Sequence, residues 1–295
     1  MSDHAQFYGC YTALVTPFAG ANVNFAALET FVQWQVAEGV HGLVPCGTTG
    51  ESPTLTPREH QEVIAQTVKA AAGRVKVMAG TGSNSTAEAI EYTQHAEKAG
   101  ADAALVVAPY YNKPTQEGLY QHFKAVAAAT ALPIFIYNIP GRSVVNITDA
   151  TLARLAEIKN IAGIKDATGD LARVATLRHL VGDRLVQFSG EDMTAVGFNA
   201  MGGRGVISVV SNIAPKLTAE VQNLSLAGKV EEARALQAKL VLLTQAMFVE
   251  TNPVPVKYGV SLLKRCEMSV RLPLVNPAEP TQSVVREAMA ALKLI

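Results

Sequence analysis

Eight short apolar runs, each followed by a stretch of helical spacing, recur through the first 230 or so of the 295 residues. The runs fall at 11–15, 42–45, 76–79, 103–108, 134–137, 161–165, 185–189 and 205–209. Each is too short for a helix and apolar on both sides of its period, which fits a strand buried on two faces. The intervening stretches carry helix start signals. Thr56-Pro57-Arg58-Glu59 reads as a capping box with proline at the first helical position, and Ser85-Thr86-Ala87-Glu88 reads as a second box. Eight strand–helix units of this length predict an α/β fold, a (β/α)8 TIM barrel. A doubly wound open sheet competes, but it rarely needs eight units and wants a phosphate loop. Gly80-Thr81-Gly82 lacks the third glycine of such a loop and reads as a plain turn. After the eighth unit the pattern turns helical at 230–249, 254–264 and 283–292. The expected organisation is therefore a catalytic barrel over 1–228 and a small C-terminal helical region over 229–295, packed on it without a linker.

A barrel gathers its chemistry at the C-terminal ends of its strands. The second run ends in Cys46-Gly47-Thr48-Thr49-Gly50-Glu51, and the fourth in Tyr110-Tyr111. The fifth ends in Tyr137-Asn138-Ile139-Pro140-Gly141-Arg142, the sixth in Lys165, and the seventh in Ser189-Gly190-Glu191-Asp192. Lys165 is the most telling of these, because a lysine closing a buried strand is costly unless something uses it. A desolvated amine is a nucleophile toward carbonyl carbon, which is Schiff-base chemistry. That chemistry needs a proton shuttle, and tyrosine hydroxyls relayed through Thr49 would supply one. Backbone donors near Thr48 and Thr49 suit one carboxylate, and Arg142 suits a second. Taken singly, each group has a bland alternative: a lysine just past a strand end, a turn and cap at 47–52, packed tyrosines, a surface arginine. Several independent strand ends that together yield one workable site favour the site.

Composition narrows the partners. Lys plus Arg and Asp plus Glu are both 25, so the chain has no net charge to attract nucleic acid or an anionic membrane. A small molecule is the expected ligand. Cys10, Cys46 and Cys266 are odd in number and form no CxxC pair, and the histidines at 4, 41, 60, 95, 122 and 179 never fall four apart. Neither a disulfide framework nor a metal site is expected. The first residues lack a signal-peptide pattern, and no apolar run approaches the roughly 20 residues that span a bilayer. A cytoplasmic protein is expected.

The motifs GTTGES at 47–52, AGTGSNSTAEAI at 79–90, APYYNKPTQEGLYQHF at 108–123, YNIPGRS at 137–143, IAGIKDATGD at 161–170, SGED at 189–192 and ETNPVPVK at 250–257 carry a resemblance. Over nearly its whole length the chain resembles the dihydrodipicolinate synthases, of the pyruvate-dependent class I aldolase superfamily that includes N-acetylneuraminate lyase. The resemblance implies a lyase of lysine and diaminopimelate biosynthesis that condenses pyruvate with L-aspartate 4-semialdehyde. It implies Lys165 as the Schiff-base residue, with no separate cofactor. Tyr137 would be the acid/base, bonded to Thr49, which links to Tyr111 from a neighbouring subunit. Thr48 would bind the pyruvate carboxylate, and Arg142 the semialdehyde carboxylate. Gly190 and Ile207 would contribute backbone groups near the lysine. The implied assembly is a homotetramer, a dimer of dimers. Many such enzymes are inhibited by L-lysine. The matching positions here are Pro53, Pro57, His60, Gly82, Asn84, Glu88 and Tyr110, of which Pro53 and Pro57 depart from inhibited enteric relatives.

Two other functions compete. One is a sugar-acid aldolase of the same superfamily, against which Arg142 and Thr48 argue. The other is a keto-acid binder without turnover, which would have no need of the relay through Lys165, Tyr137, Thr49 and Tyr111.

Overall fold

In the computed structural model, which describes residues 4–295, eight parallel strands close into a barrel. They are β1 (Gly9–Ala13), β2 (Gly42–Val44), β3 (Lys76–Gly80), β4 (Ala103–Val107), β5 (Ile134–Asn138), β6 (Ile161–Asp166), β7 (Val186–Ser189) and β8 (Gly205–Ser208). Each strand pairs with its sequence neighbours, and β8 closes the ring on β1 in the register Gly9↔Gly205. Outside the ring run α1 (Phe25–Ala37), α2 (Pro57–Ala71), α3 (Thr86–Lys98), α4 (Gln116–Ala128), α5 (Asp149–Leu155), α6 (Leu171–Val181), α7 (Ala195–Ala200) and α8 (Pro215–Leu226). The expected α/β barrel is the observed one. A two-stranded antiparallel ribbon, Phe18–Ala19 with Asn22–Val23, is added after β1.

The strands are apolar on both faces because they build two cores. Inside the barrel, Phe7, Tyr11, Phe135 and Phe188 pack edge to face, with ring centroids 5.2 Å apart for Phe7 and Phe135 and 5.3 Å for Tyr11 and Phe188. Between barrel and helices lies the larger core, from Leu14 and Phe31 round to Val256 and Met289.

Three local expectations need correction. The first strand runs two residues earlier than 11–15, because it begins at Gly9. A glycine reads as a strand breaker in sequence, yet here a Cβ would fall 2.4 Å from the His41 ring, so only glycine fits. The segment 230–249 is not one helix. It divides into α9 (Val230–Lys239) and α10 (Val241–Ala246), where the Leu240 amide bonds to Gln237 O (2.9 Å) and the turn tightens. Then follow α11 (Val254–Leu262) and α12 (Glu279–Ala291). The last helix starts four residues before 283, with Pro280 in its first turn, where its missing N–H costs nothing.

Helix starts explain how the loops at the mouth are set. Thr56 and Glu59 make the full reciprocal capping box expected of α2. At α3 only half of the expected box forms: Ser85 accepts from the Glu88 amide at 3.5 Å, while the Glu88 carboxylate takes the Ser83 hydroxyl instead. Asp170 caps α6 through the Ala172 amide at 2.9 Å, so the helix after Lys165 is regular.

Candidate active site

Lys165 and Tyr137 are direct cross-strand neighbours on β6 and β5. Neighbouring residues in register point to the same face of a sheet, here the barrel interior. The Lys165 ammonium lies 4.1 Å from the centroid of the Tyr137 ring. It is 7% exposed and, among the described residues, has no carboxylate within ion-pair distance. Two carboxyls that feel its charge, Glu191 and Asp192, are otherwise engaged or held back from ionising. Asp192 accepts from the Val209 amide at 2.9 Å and the Val210 amide at 3.1 Å. Burial pushes the carboxyls of Glu191 and Asp192 above the usual carboxylate range.

A cavity of about 240 Å³ opens at Tyr137, and Lys165 is not among the residues that line it. Its walls include Thr48, Tyr110, Tyr137 and Arg142. Arg142 stands exposed at the rim on the short helical turn Pro140–Ser143, its guanidinium donating to the main-chain oxygen of Asn252 at 3.1 Å. Thr49 is buried, and its hydroxyl oxygen accepts from the side-chain amide of Asn252 at 3.0 Å. Gly190 gives its N–H to Asp166 O at 2.7 Å, which leaves its carbonyl as the backbone group it can offer. A Cβ there would fall 2.6 Å from that of Ala167. Ile207 is buried in the barrel interior.

Tyr111 does not join them within one chain. It is 88% exposed, and its φ of +70° is unusual for a bulky residue. Among the described residues no hydrogen bond joins Thr49 to Tyr137 or to Tyr111, so the relay is open at both ends in the single chain. The positions matched to L-lysine binding divide likewise. Pro53, Gly82 and Tyr110 line the 240 Å³ cavity. Asn84 is not among the cavity residues; its main-chain oxygen accepts from the Asn112 side-chain amide at 2.9 Å. Glu88 is exposed on α3, and Pro57 opens α2. His60 is buried, stacked on Tyr92 at 4.0 Å, and desolvation lowers its pKa to about 4.

Asn252 was not singled out from the sequence, although it lies within ETNPVPVK. Its partners are 203 and 110 residues away, a link that no local pattern signals. Among the described residues no cluster of three or more His, Cys, Asp or Glu is placed to hold a metal, and no helix is long and apolar enough to cross a membrane.

The whole of this arrangement has relatives. The family model for the dihydrodipicolinate synthetase family matches residues 6–292. The chain belongs to the dihydrodipicolinate synthetase family. It is 56% identical over 285 residues to the 4-hydroxy-tetrahydrodipicolinate synthase of Methylobacterium radiotolerans, covering 97% of this chain and 95% of that one. The crystal structure of the chloride-inhibited dihydrodipicolinate synthase of Acinetobacter baumannii, complexed with pyruvate, superposes with a TM-score of 0.96 at 44% identity, covering 98% of this chain and 99% of that one. The enzyme of Cyanidioschyzon merolae with lysine bound gives a TM-score of 0.95 at 38% identity, covering 98% of this chain and 99% of that one. Enzymes of the dihydrodipicolinate synthetase family are carbon–carbon lyases of the class I aldolase type. They carry pyruvate as a lysine Schiff base and use no external cofactor, and this chain is an enzyme of that type.

Proposed function

We propose that the chain condenses pyruvate with L-aspartate 4-semialdehyde to 4-hydroxy-tetrahydrodipicolinate, the first committed step toward diaminopimelate and lysine. The observation that carries this reading is Lys165, a buried amine without an ion-pair partner, in register with Tyr137, which lines the cavity that also holds Arg142. The Lys165 amine adds to the pyruvate ketone, and loss of water gives the imine. Tyr137 hands over the protons of that step and of enamine formation, with Thr49 as the relay. The enamine carbon bonds to the semialdehyde carbonyl carbon. The amino group of the second substrate then attacks the imine carbon, closes the ring and frees the lysine. Thr48 holds the pyruvate carboxylate, and Gly190 and Ile207 offer backbone groups beside the imine. Arg142 pairs with the semialdehyde carboxylate.

Tyr111 acts in a second copy of the chain: an exposed aromatic on a left-handed backbone has no use within its own molecule. The working form is thus a homo-oligomer, a dimer of dimers, in the cytoplasm. L-Lysine acts as a feedback inhibitor through Tyr110, Asn84, Glu88 and His60. Because His60 is buried against Tyr92, inhibitor binding there requires that stack to open.

Turnover of the two substrates, coupled to NADPH oxidation by the next reductase, tests the reading. Borohydride trapping of pyruvate without such turnover would replace the semialdehyde with another aldehyde. Arg142→Ala is expected to raise KM for the semialdehyde by one to two orders of magnitude, roughly the cost of a lost charged hydrogen bond, while pyruvate trapping persists. Equal damage to both substrates would remove Arg142 from the role given to it.

A further inference from the structure

The loop that carries Thr48 and Thr49 is held by the C-terminal helical region. Lys257 on α11 donates to the Glu51 carboxylate at 2.6 Å, and the Arg271 amide donates to its other oxygen at 3.0 Å. Glu51 has a φ of +56°, a conformation that a non-glycine keeps only when its surroundings fix it. Asn252, at the head of α11, adds two bonds of a different kind. Its main-chain oxygen holds Arg142, and its side-chain amide holds Thr49.

We infer that Asn252 is a positioning residue that keeps the Thr49 O–H free to pass protons on; the inference rests on the relay proposed above. A threonine hydroxyl has one hydrogen and two lone pairs. The Asn252 NH2 can only donate, so it occupies one lone pair and leaves the O–H free. Thr49 then accepts from one tyrosine and donates to the other, which is what a through-relay needs. An acceptor in the same place would take the O–H, and Thr49 could receive two bonds and pass on none. The amide is oriented by its own cost of burial. With Nδ2 on Thr49, one carbonyl oxygen of Asn252 is left buried without a partner among the described residues. Reversed, the amide would bury an unpaired NH2, and orphaned donors are the rarer case. Main chain and side chain thus divide two tasks, the substrate carboxylate through Arg142 and the proton path through Thr49.

Asn252→Asp separates them, since it keeps the shape and the main-chain carbonyl but turns the donor into an acceptor. The expected kcat loss is on the order of 100-fold, the scale of one acid/base contribution. KM for the semialdehyde should stay within about twofold, as for an interaction made only on the way to the transition state. Lowering the pH should recover kcat relative to wild type, because a protonated carboxyl can donate again. Added to Thr49→Val, the substitution should cost no further activity. Wild-type kcat and pH profile in N252D would overturn the inference, as would a loss additive to that of Thr49→Val, or a raised KM with unchanged kcat. If the variant does not fold, Asn252→Ala replaces it: a several-fold kcat loss at unchanged KM is expected, and full kcat overturns the inference. Thr49→Val with wild-type kcat would instead sink the relay itself, and Asn252's role with it.

Discussion

Lys165 and Lys257 are the same residue type in nearly the same degree of burial, and they do opposite things. Lys257 is 0% exposed, bonded to Glu51 at 2.6 Å and seated 3.8 Å over the Phe18 ring. Burial lowers its pKa, and the Glu51 carboxylate works against that shift. Lys165 also sits over an aromatic ring, but no carboxylate completes the pair. A buried amine with a salt partner is committed to it, since breaking the pair strands a charge in a poor solvent. A buried amine without one is open to a covalent partner. What separates strut from nucleophile is the second residue, not the lysine.

Exchanging the roles by substitution tests this contrast. The largest effect is expected from Lys165→Met: no borohydride-trapped pyruvate by mass spectrometry, turnover abolished, and a melting temperature equal to or above wild type. Trapped pyruvate in that variant would mean that another amine is the nucleophile. Lys257→Met should do the reverse, costing about 3–5 kcal/mol in chemical denaturation because it strands Glu51, while the folded fraction still traps pyruvate. Adding Glu51→Gln should restore much of that loss; a double variant no more stable than the single one would show that the pair was not the cause. The smallest effect concerns the neighbouring pair. Arg271 holds the Glu59 carboxyl down at about 2 from an ordinary 4.5. The folded state therefore binds fewer protons than the unfolded chain between those values. That contribution is complete above pH 4.5 and is lost as the pH falls toward about 2. Because the pair is partly exposed, it amounts to on the order of 1 kcal/mol. Denaturation midpoints between pH 5 and 3 should fall less steeply in Arg271→Met than in wild type, and parallel slopes would exclude the pair as their source.

Lys165 was legible from the sequence because its cause is local: an apolar run that ends in an amine. The barrel was legible for the same reason, since the strand–helix period repeats eight times along the chain. Lys257 was not. It sits within the quoted ETNPVPVK, but its partner lies 206 residues away, and pairing across that distance leaves no periodicity to read. Asn252 escaped notice for the same reason. Gly9 misled by composition, since the clash that demands it comes from His41, a distant residue just ahead of β2. Glu88 misled by offering a local bond to Ser85 and taking a better one from Ser83. Thr48, Tyr110, Tyr137 and Arg142 line one cavity where the strand-end rule puts them, and Tyr111 turns away into solvent.

Ring closure has a consequence for the order in which the molecule can be made. On the ribosome β1 emerges first, yet its partner β8 is nearly two hundred residues behind it, in the register Gly9↔Gly205. Until then one edge of the growing sheet stays unpaired, the condition under which nascent chains need chaperones. Even a closed ring is not a finished catalyst, because Asn252, Lys257 and Arg271 must still arrive to fasten the loop at Thr49 and Glu51. Translation halted between β8 and α11 would leave a barrel with Lys165 in its strand and the loop at Thr49 and Glu51 unfastened.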